Sequence, residues 1–381
     1  MNINSREIAL KVLQDINEKD NYSNISIKNH VNSDMSIQEE GFIRELVYGV
    51  IENRLYIDYI ISKASKIKLN KIHPLVKEIL RLGIYQIIFM DKVPISAAVN
   101  ESVNLSKKYG HRGTIGFVNG ILRAISRDVE GFKKVEEENK EKNLSIKYSH
   151  PEFLVSRFIK DFGYDFAADL LEANNSKPLL NIRVNTLKTN KKDLINLLRN
   201  KGFELSEGKY ARDAIIVHNP HRITSLSEFK NGYFTIQDES SMLVGQILNP
   251  REGSIVIDVC SAPGGKSTHL AAIMNNKGKV IARDFYEHKI RLIEENKKRL
   301  GTDIIEVEVF DALKLDNSLI NRVDYCLVDA PCSGFGLIRR KPEIKWNRKE
   351  EDIKELSKLQ YEILNVSKNY IKQGGILMYS T

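Results

Sequence analysis

From Gly253 onward, strand-like apolar stretches alternate with helix-like amphipathic ones, and this alternation leaves few possible folds. "SIVIDV", "KVIARD", "IIEVEVFD", "VDYCLVDAP" and "GGILMYST" have strand length and composition. "KSTHLAAIM", "EHKIRLIEENKKRL" and a long helical stretch separate them. Strands this apolar are buried on both faces, so the pattern predicts an α/β domain, a parallel sheet covered by helices on each side. In such a sheet ligands bind beyond the carboxyl ends of the strands.

The residues before this domain follow two other patterns. From Ser5 to about Arg127 apolar residues recur at helical spacing, as in "FIRELVYGVIENRLYIDYII" and "PLVKEILRLGIYQIIF". Ser36 and Glu39 have the spacing of a capping box, and Pro74 and Pro94 stand where helices should begin. The start, "MNINSREIALKVL", lacks the basic head, apolar core and small-residue site of a signal peptide, and is expected to be a first helix. Between Pro151 and Asn249 short strands ("NIRVNTL", "AIIVHN", "YFTIQD") mix with helices ("KKDLINLLRNKGF", "ESSMLVGQIL"). The expected domains are all-α over 1–130, a solvated helix or linker over 131–149, small α+β over 150–240, and the α/β sheet over 241–381.

Composition narrows the class. With 42% hydrophobic and 28% charged residues the chain is of the soluble globular type, and a net charge of +8 favours an anionic partner, nucleic acid first. Cys260, Cys326 and Cys332 are too few for a disulfide framework, and no CxxC pair suggests zinc. The strongest apolar stretch, Ile79 to Met90, contains Arg81 and falls well short of the roughly 20 residues needed to span a bilayer. A cytoplasmic protein without membrane segment or metal is expected.

Four stations fall just past predicted strands. In "DVCSAPGGKST" a Walker A loop would need glycine at Cys260, and no GxGxxG is present. What remains is a tight strand-to-helix turn in which Gly264 and Gly265 let a ligand approach the backbone; the alternative is that they only permit the turn. Asp284 stands about twenty residues on, where a carboxylate can bind ribose hydroxyls, and Asp311 could accept from an adenine amino group. Singly each could be a helix cap, but in register they describe a nucleoside pocket. In "VDAPCSGFG", Asp329 and Cys332 leave one strand end around the stiffening Pro331, whereas Cys326 sits mid-strand as a structural thiol.

Together "DVCSAPGGK", "ARD", "FDA", "DAPCSGFG", "RRKPEIKW" and "GGILMYST" resemble the RNA cytosine-C5 methyltransferases of the NOL1/NOP2/Sun family. The front half, with "AAVNESVNLSKK" and "GFVNGILRAI", is similar to the NusB-like domain of one bacterial branch, the RsmB or Sun enzymes, which methylate a cytosine of 16S rRNA. The resemblance runs from the first helix to Thr381. It implies a Rossmann-like S-adenosylmethionine-dependent methyltransferase domain behind a NusB-like all-α domain and a small ferredoxin- or RRM-like α+β domain. It further implies S-adenosylmethionine held by Cys260, Ser261, Ala262, Pro263, Gly264, Gly265 and Lys266, with Asp284 on the ribose, Asp311 on the adenine side, and Asp329 between cofactor and target base. The implied partner is 16S rRNA before subunit assembly is complete, bound by a monomer.

Carbon 5 of cytosine is a weak nucleophile, so in this chemistry a thiolate first adds to carbon 6 and pushes electron density to carbon 5. A carboxylate, by resemblance Asp329, steadies the base edge as charge develops. The resemblance gives Cys332 the role of assisting product release and assigns the attacking thiol to the position after Thr381. Residues 1–381 alone are therefore expected to be inactive. Arg339, Arg340, Lys341 and Lys345 beside Trp346 are expected to contact RNA phosphate and stack a base; the alternative is a solvated basic loop around one packed Trp. Two other functions stay open: a non-catalytic rRNA-binding protein, and a methyltransferase of another RNA such as tRNA.

Overall fold

A computed structural model describes residues 4–19, 23–31 and 35–381. Contacts divide the chain into two compact units, one of residues 1–178 with Gly334–Glu350, the other of Leu179–Ser333 with Glu351–Thr381.

The first unit is helical: α1 (Ser5–Lys19), α2 (Ser23–His30), α3 (Ile37–Glu52), α4 (Arg54–Ala64), α5 (Pro74–Phe89), α6 (Ile95–Tyr109), α7 (Arg112–Arg127), α8 (Val129–Lys133), α9 (Lys140–Tyr148), α10 (Glu152–Phe162) and α11 (Tyr164–Asn174). Helix α3 starts at the expected Ser36–Glu39 capping box, and Pro74 is in the first turn of α5. The core gathers Leu10, Leu13, Leu46, Val47, Ile57, Ile84 and Leu122. Buried in α5, Arg81 makes a two-pronged pair with Asp58 (2.6 and 2.7 Å) and a further one with Glu78, so its charge is matched where water cannot reach.

Residues 131–149 are not a solvated linker. Helix α9 buries Leu144, Ser145 and Ile146, and α10 and α11 pack on it around Val155 and Leu171. The apolar faces of α10 and α11 find their partners here, so by contacts these helices group with the helical unit up to Pro178. The segment Gly334–Glu350 also belongs to this unit: Ile338 and Ile344 form a cluster with Leu154, and Trp346 packs on the main core.

The second unit begins with a four-stranded antiparallel sheet, β1 (Leu180–Val184), β2 (Leu205–Glu207), β3 (Ala214–Val217) and β4 (Phe234–Ile236), in the order β2-β3-β1-β4. Helix α12 (Lys191–Arg199) covers it with Leu194, Ile195 and Leu198; the short α13 (Ser227–Lys230) and α14 (Glu239–Leu248) follow. Next come β5 (Ile255–Asp258), α15 (Gly265–Ile273), β6 (Lys279–Asp284), α16 (Glu287–Leu300), β7 (Ile305–Val309), β8 (Val323–Asp329), α17 (Glu350–Ser367) and β9 (Ile371–Ser380). These strands are parallel, in the order β7-β6-β5-β8-β9. Val256, Val280 and Leu327 are buried on one face, Ile257, Ile281 and Cys326 on the other, as predicted for a doubly covered sheet.

Strand order reverses between β5 and β8, which is where this fold opens a crevice. The glycine pair in β9 has a local cause. The β8–β9 register shifts between Val323 and Tyr325, Gly374 takes φ +81°, and a Cβ on Gly375 would stand 2.8 Å from Asp324 O. This irregularity brings the rest of β9 into register with β8, setting Ser380 opposite Asp329.

Candidate active site

The turn from β5 to α15 is built on a buried carboxylate. Asp258 is fully buried; its Oδ2 accepts from Ser267 Oγ at 2.5 Å, and the Ser261 and Ser267 hydroxyls are also 2.5 Å apart. Burial pushes the Asp258 carboxyl up to about 7; the Ser267 hydrogen bond opposes this and the negative charge of Asp329 adds to it. Asp258 Oδ1 is buried without a partner among the described residues. Gly264 takes φ +92°, and a Cβ there would meet Ile293 Cγ2 at 3.2 Å. At Gly265, which opens α15, the nearest atom to a Cβ would be Gln237 at 3.9 Å, so the backbone there is uncovered.

Asp284 lies against this turn. Its Oδ2 accepts from Ala262 N at 3.3 Å and its Oδ1 from Tyr286 N at 3.2 Å. Phe310 N donates to Asp284 O at 3.1 Å, and Asp311 follows next, two residues past the end of β7; its Oδ1 accepts from Leu313 N at 3.0 Å. The orphan oxygen of Asp258, the Asp284 carboxylate bonded by backbone N–H groups, and the uncovered start of α15 suit a ligand carrying a cationic group and a ribose.

On the other side of the switch point, Asp329 Oδ1 pairs with Lys266 Nζ and accepts from Ser380 Oγ at 2.7 Å. Lys266 also donates to Ser380 Oγ at 3.2 Å. The first turn of α15 and the ends of β8 and β9 therefore meet at one carboxylate. Cys332 is exposed three residues further on. Cys260 is half-buried, and burial together with Asp258, Asp284 and Asp329 pushes its thiol up to about 12, which makes it a poor nucleophile. Cys326 is buried in β8 and is pushed up by burial.

The basic segment departs from expectation. Lys345 is fully buried, its Nζ donating to Glu52 O and Ser149 O at 3.2 Å and to Asn175 Oδ1 at 2.6 Å. Burial lowers its pKa, opposed by Glu52, whose own carboxyl burial raises. Trp346 Nε1 donates to Ile51 O at 2.8 Å, with the Arg54 guanidinium 5.7 Å from its ring. Glu343 accepts from Ser23 N and Oγ at 3.0 to 3.1 Å. In this arrangement Lys345 cannot reach a phosphate and Trp346 is packed rather than offered for stacking; both are anchors in the helical unit. Arg339 is exposed and donates to Ser176 Oγ at 3.3 Å, while Arg340 and Lys341 are half-buried.

Sequence reasoning missed Arg183, buried in β1. Its Nη1 donates to Gln237 Oε1 (2.5 Å) and Gly265 O (2.6 Å), and its Nη2 to Thr268 Oγ1 (3.1 Å), so the small sheet holds the first turn of α15. Burial lowers its pKa to about 9. An arginine inside the apolar strand "NIRVNTL" was the available signal. Ser380 and Gln360, discussed below, carried no motif signal of their own role.

Comparison with known proteins divides the chain into three domains, the middle one starting at residue 150. The NusB family matches residues 3–127, the ferredoxin-like domain of RsmF/B-like methyltransferases residues 150–224, and the family described as 16S rRNA methyltransferase RsmB/F residues 245–381. The probable ribosomal RNA small subunit methyltransferase B of Bacillus subtilis is 40% identical over 379 residues, covering 99% of this chain and 84% of that one. The ribosomal RNA small subunit methyltransferase B of Photorhabdus laumondii is 31% identical, covering 99% and 86%. Among solved structures, that of PH0851 superposes with a TM-score of 0.81 at 26% identity, covering 100% of this chain and 86% of that one. With a NusB-like all-α domain, a ferredoxin-like domain and a Rossmann-like sheet in one chain, and similarity to these relatives along its whole length, the protein belongs to the RsmB/F family of S-adenosylmethionine-dependent 16S rRNA methyltransferases.

Proposed function

We propose that the protein methylates carbon 5 of a cytosine in 16S rRNA, with the cofactor held along the β5–α15 turn and the base beside Asp329. The observation that carries this reading is the Asp329 carboxylate, held through Oδ1 by Lys266 and Ser380 at the end of β8. A half-exposed carboxylate oriented in this way can accept from the protonated N3 and amino edge of a cytosine.

S-adenosylmethionine supplies an electrophilic methyl group on a sulfonium sulfur, which keeps the bonding pair when the methyl leaves. Gly264, Gly265 and the residues from Cys260 to Lys266 would line the cofactor, with Asp284 on the ribose and Asp311 on the adenine side. A thiolate forms a bond to carbon 6 as the electron pair of the 5,6 double bond shifts toward carbon 5, which takes the methyl. Asp329 holds the base edge while charge collects on the ring. Removal of the carbon 5 proton re-forms the double bond as the carbon–sulfur bond breaks, and Cys332 is the group assigned to that release.

By the family resemblance the attacking thiol stands one position past Thr381. Strand β9 runs parallel to β8 with Ser380 opposite Asp329, and Gln360 bonds both Pro331 O and Thr381 Oγ1, so the end of β9 stands beside the Pro331–Cys332 loop. The NusB-like domain and exposed Arg339 are candidates for rRNA docking. None of the described helices is long and apolar enough to cross a membrane.

A 16S rRNA fragment carrying 5-fluorocytidine tests the reading, because fluorine at carbon 5 cannot leave as the proton does. The full gene product with S-adenosylmethionine should form an adduct that survives denaturing electrophoresis. Methyl transfer to the unmodified fragment with no adduct on the fluorinated one would rule out thiol addition.

A further inference from the structure

Gln360 spends its whole side-chain amide on the two strand ends that meet at the site. It lies on α17 beside Leu359 and Ile363, which pack into the sheet. Its Nε2 donates to Pro331 O at 2.7 Å and to Thr381 Oγ1 at 3.2 Å, and its Oε1 accepts from Tyr379 O–H at 2.9 Å. Chemistry fixes the amide's orientation: the Pro331 carbonyl oxygen can only accept, so nitrogen must face it.

These bonds complete a set of ties. Leaving β8, Asp329 is held by Ser380 Oγ, Ala330 N donates to Ser380 O at 3.0 Å, and Pro331 O is held by Gln360. The last of these fixes the peptide plane that carries Cys332 N. On β9, Gln360 holds Tyr379 and Thr381 on either side of Ser380. One side chain thus spans the loop bearing Cys332 and the strand end at Thr381.

We infer that Gln360 is a positioning residue that sets the distance between the Cys332 loop and the end of β9. Its consequence for catalysis rests on the carbon 5 reading, in which Cys332 must act on a pyrimidine held by Asp329, itself oriented by Ser380 of β9. Gln360 touches neither substrate nor cofactor, so losing it should slow turnover without weakening binding.

The test compares Gln360→Leu and Gln360→Glu in the full gene product. Gln360→Leu should lower kcat about 10- to 100-fold, with the KM for rRNA and cofactor affinity nearly unchanged. Gln360→Glu should be as slow near pH 8, where a carboxylate faces the Pro331 carbonyl. It should recover relative to wild type as the pH falls toward about 5 and its carboxyl regains an O–H donor. The Gln360→Leu deficit should stay flat over the same range. Wild-type kcat in Gln360→Leu, or a Gln360→Glu deficit independent of pH, overturns the inference. If the wild type makes no 5-methylcytidine, it is the carbon 5 reading that fails. Gln360 is then judged by the rate at which iodoacetamide alkylates Cys332: a several-fold change in Gln360→Leu upholds positioning, and an unchanged rate overturns it.

Discussion

Asp329 and Ser380 stand opposite each other on the parallel strands β8 and β9, and the Ser380 hydroxyl donates to the Asp329 carboxylate at 2.7 Å. Since Lys266 pairs with the same oxygen, the carboxylate is oriented before any base arrives. Orientation fixed in advance costs no reorganisation during reaction, which is where electrostatic catalysis gains most.

Asp329→Asn keeps the shape and removes the charge. It should lower kcat by about 100-fold or more, whereas Ser380→Ala, which leaves Lys266 in place, should cost about 10-fold or less. Steady-state kinetics on a 16S rRNA fragment compares the two; equal deficits would show that orientation alone, rather than charge, is what Asp329 supplies.

Asp258 should make stability depend on pH. Its folded carboxyl sits at about 7 against an unfolded value near 4, so the native state keeps a proton that the unfolded chain has lost between those limits. The contribution is fully present below about pH 4, falls as the pH rises to about 7, and is flat above. Asp258→Asn stays neutral throughout and can still accept from Ser267. In urea titrations the wild type should lose on the order of 2–4 kcal/mol relative to the variant across that window. A constant difference would mean that Asp258 is ionised in the fold at all these pH values.

Lys345→Met separates anchoring from RNA contact. Removing the ammonium leaves Glu52 O, Ser149 O and Asn175 Oδ1 without their donor and should destabilise the helical unit by about 2–4 kcal/mol. The slope of RNA affinity against salt should not change, because a buried cation releases no counterions on binding. A shallower slope with unchanged thermal stability would return Lys345 to the RNA interface.

Gly264→Ala should distort the turn, since φ +92° is costly for alanine and the added Cβ meets Ile293 at 3.2 Å. A loss of about 1–3 kcal/mol in stability and weaker cofactor binding by calorimetry are expected.

The parallel sheet was readable because each strand is an apolar run of the right length and four of the five are followed by an acidic or glycine-rich station. Register explains why Asp284, Asp311 and Asp329 could be assigned to one edge of the sheet before any contact was known. The segment Gly334–Glu350 defeated this reasoning. "RRKPEIKW" looks like a solvated basic loop because charge is visible in a sequence and partners are not: Lys345 meets Glu52, Ser149 and Asn175, and Glu343 meets Ser23, all remote along the chain. The packing of α10 and α11 on the helical unit was hidden for a similar reason. The apolar faces of α10 and α11 are visible, but whether they pack on helices before them or strands after them is not. Gln360 was invisible because a single glutamine on a long helix has no pattern.

The central claim is that methyl goes to carbon 5 of cytosine in 16S rRNA. Incubating the full gene product with 16S rRNA and, separately, tRNA, in the presence of isotopically labelled S-adenosylmethionine, and identifying the labelled nucleoside by mass spectrometry, tests it directly. Label in 5-methylcytidine from 16S rRNA alone is the predicted result. Label in N4-methylcytidine, in another base, or in tRNA would contradict it.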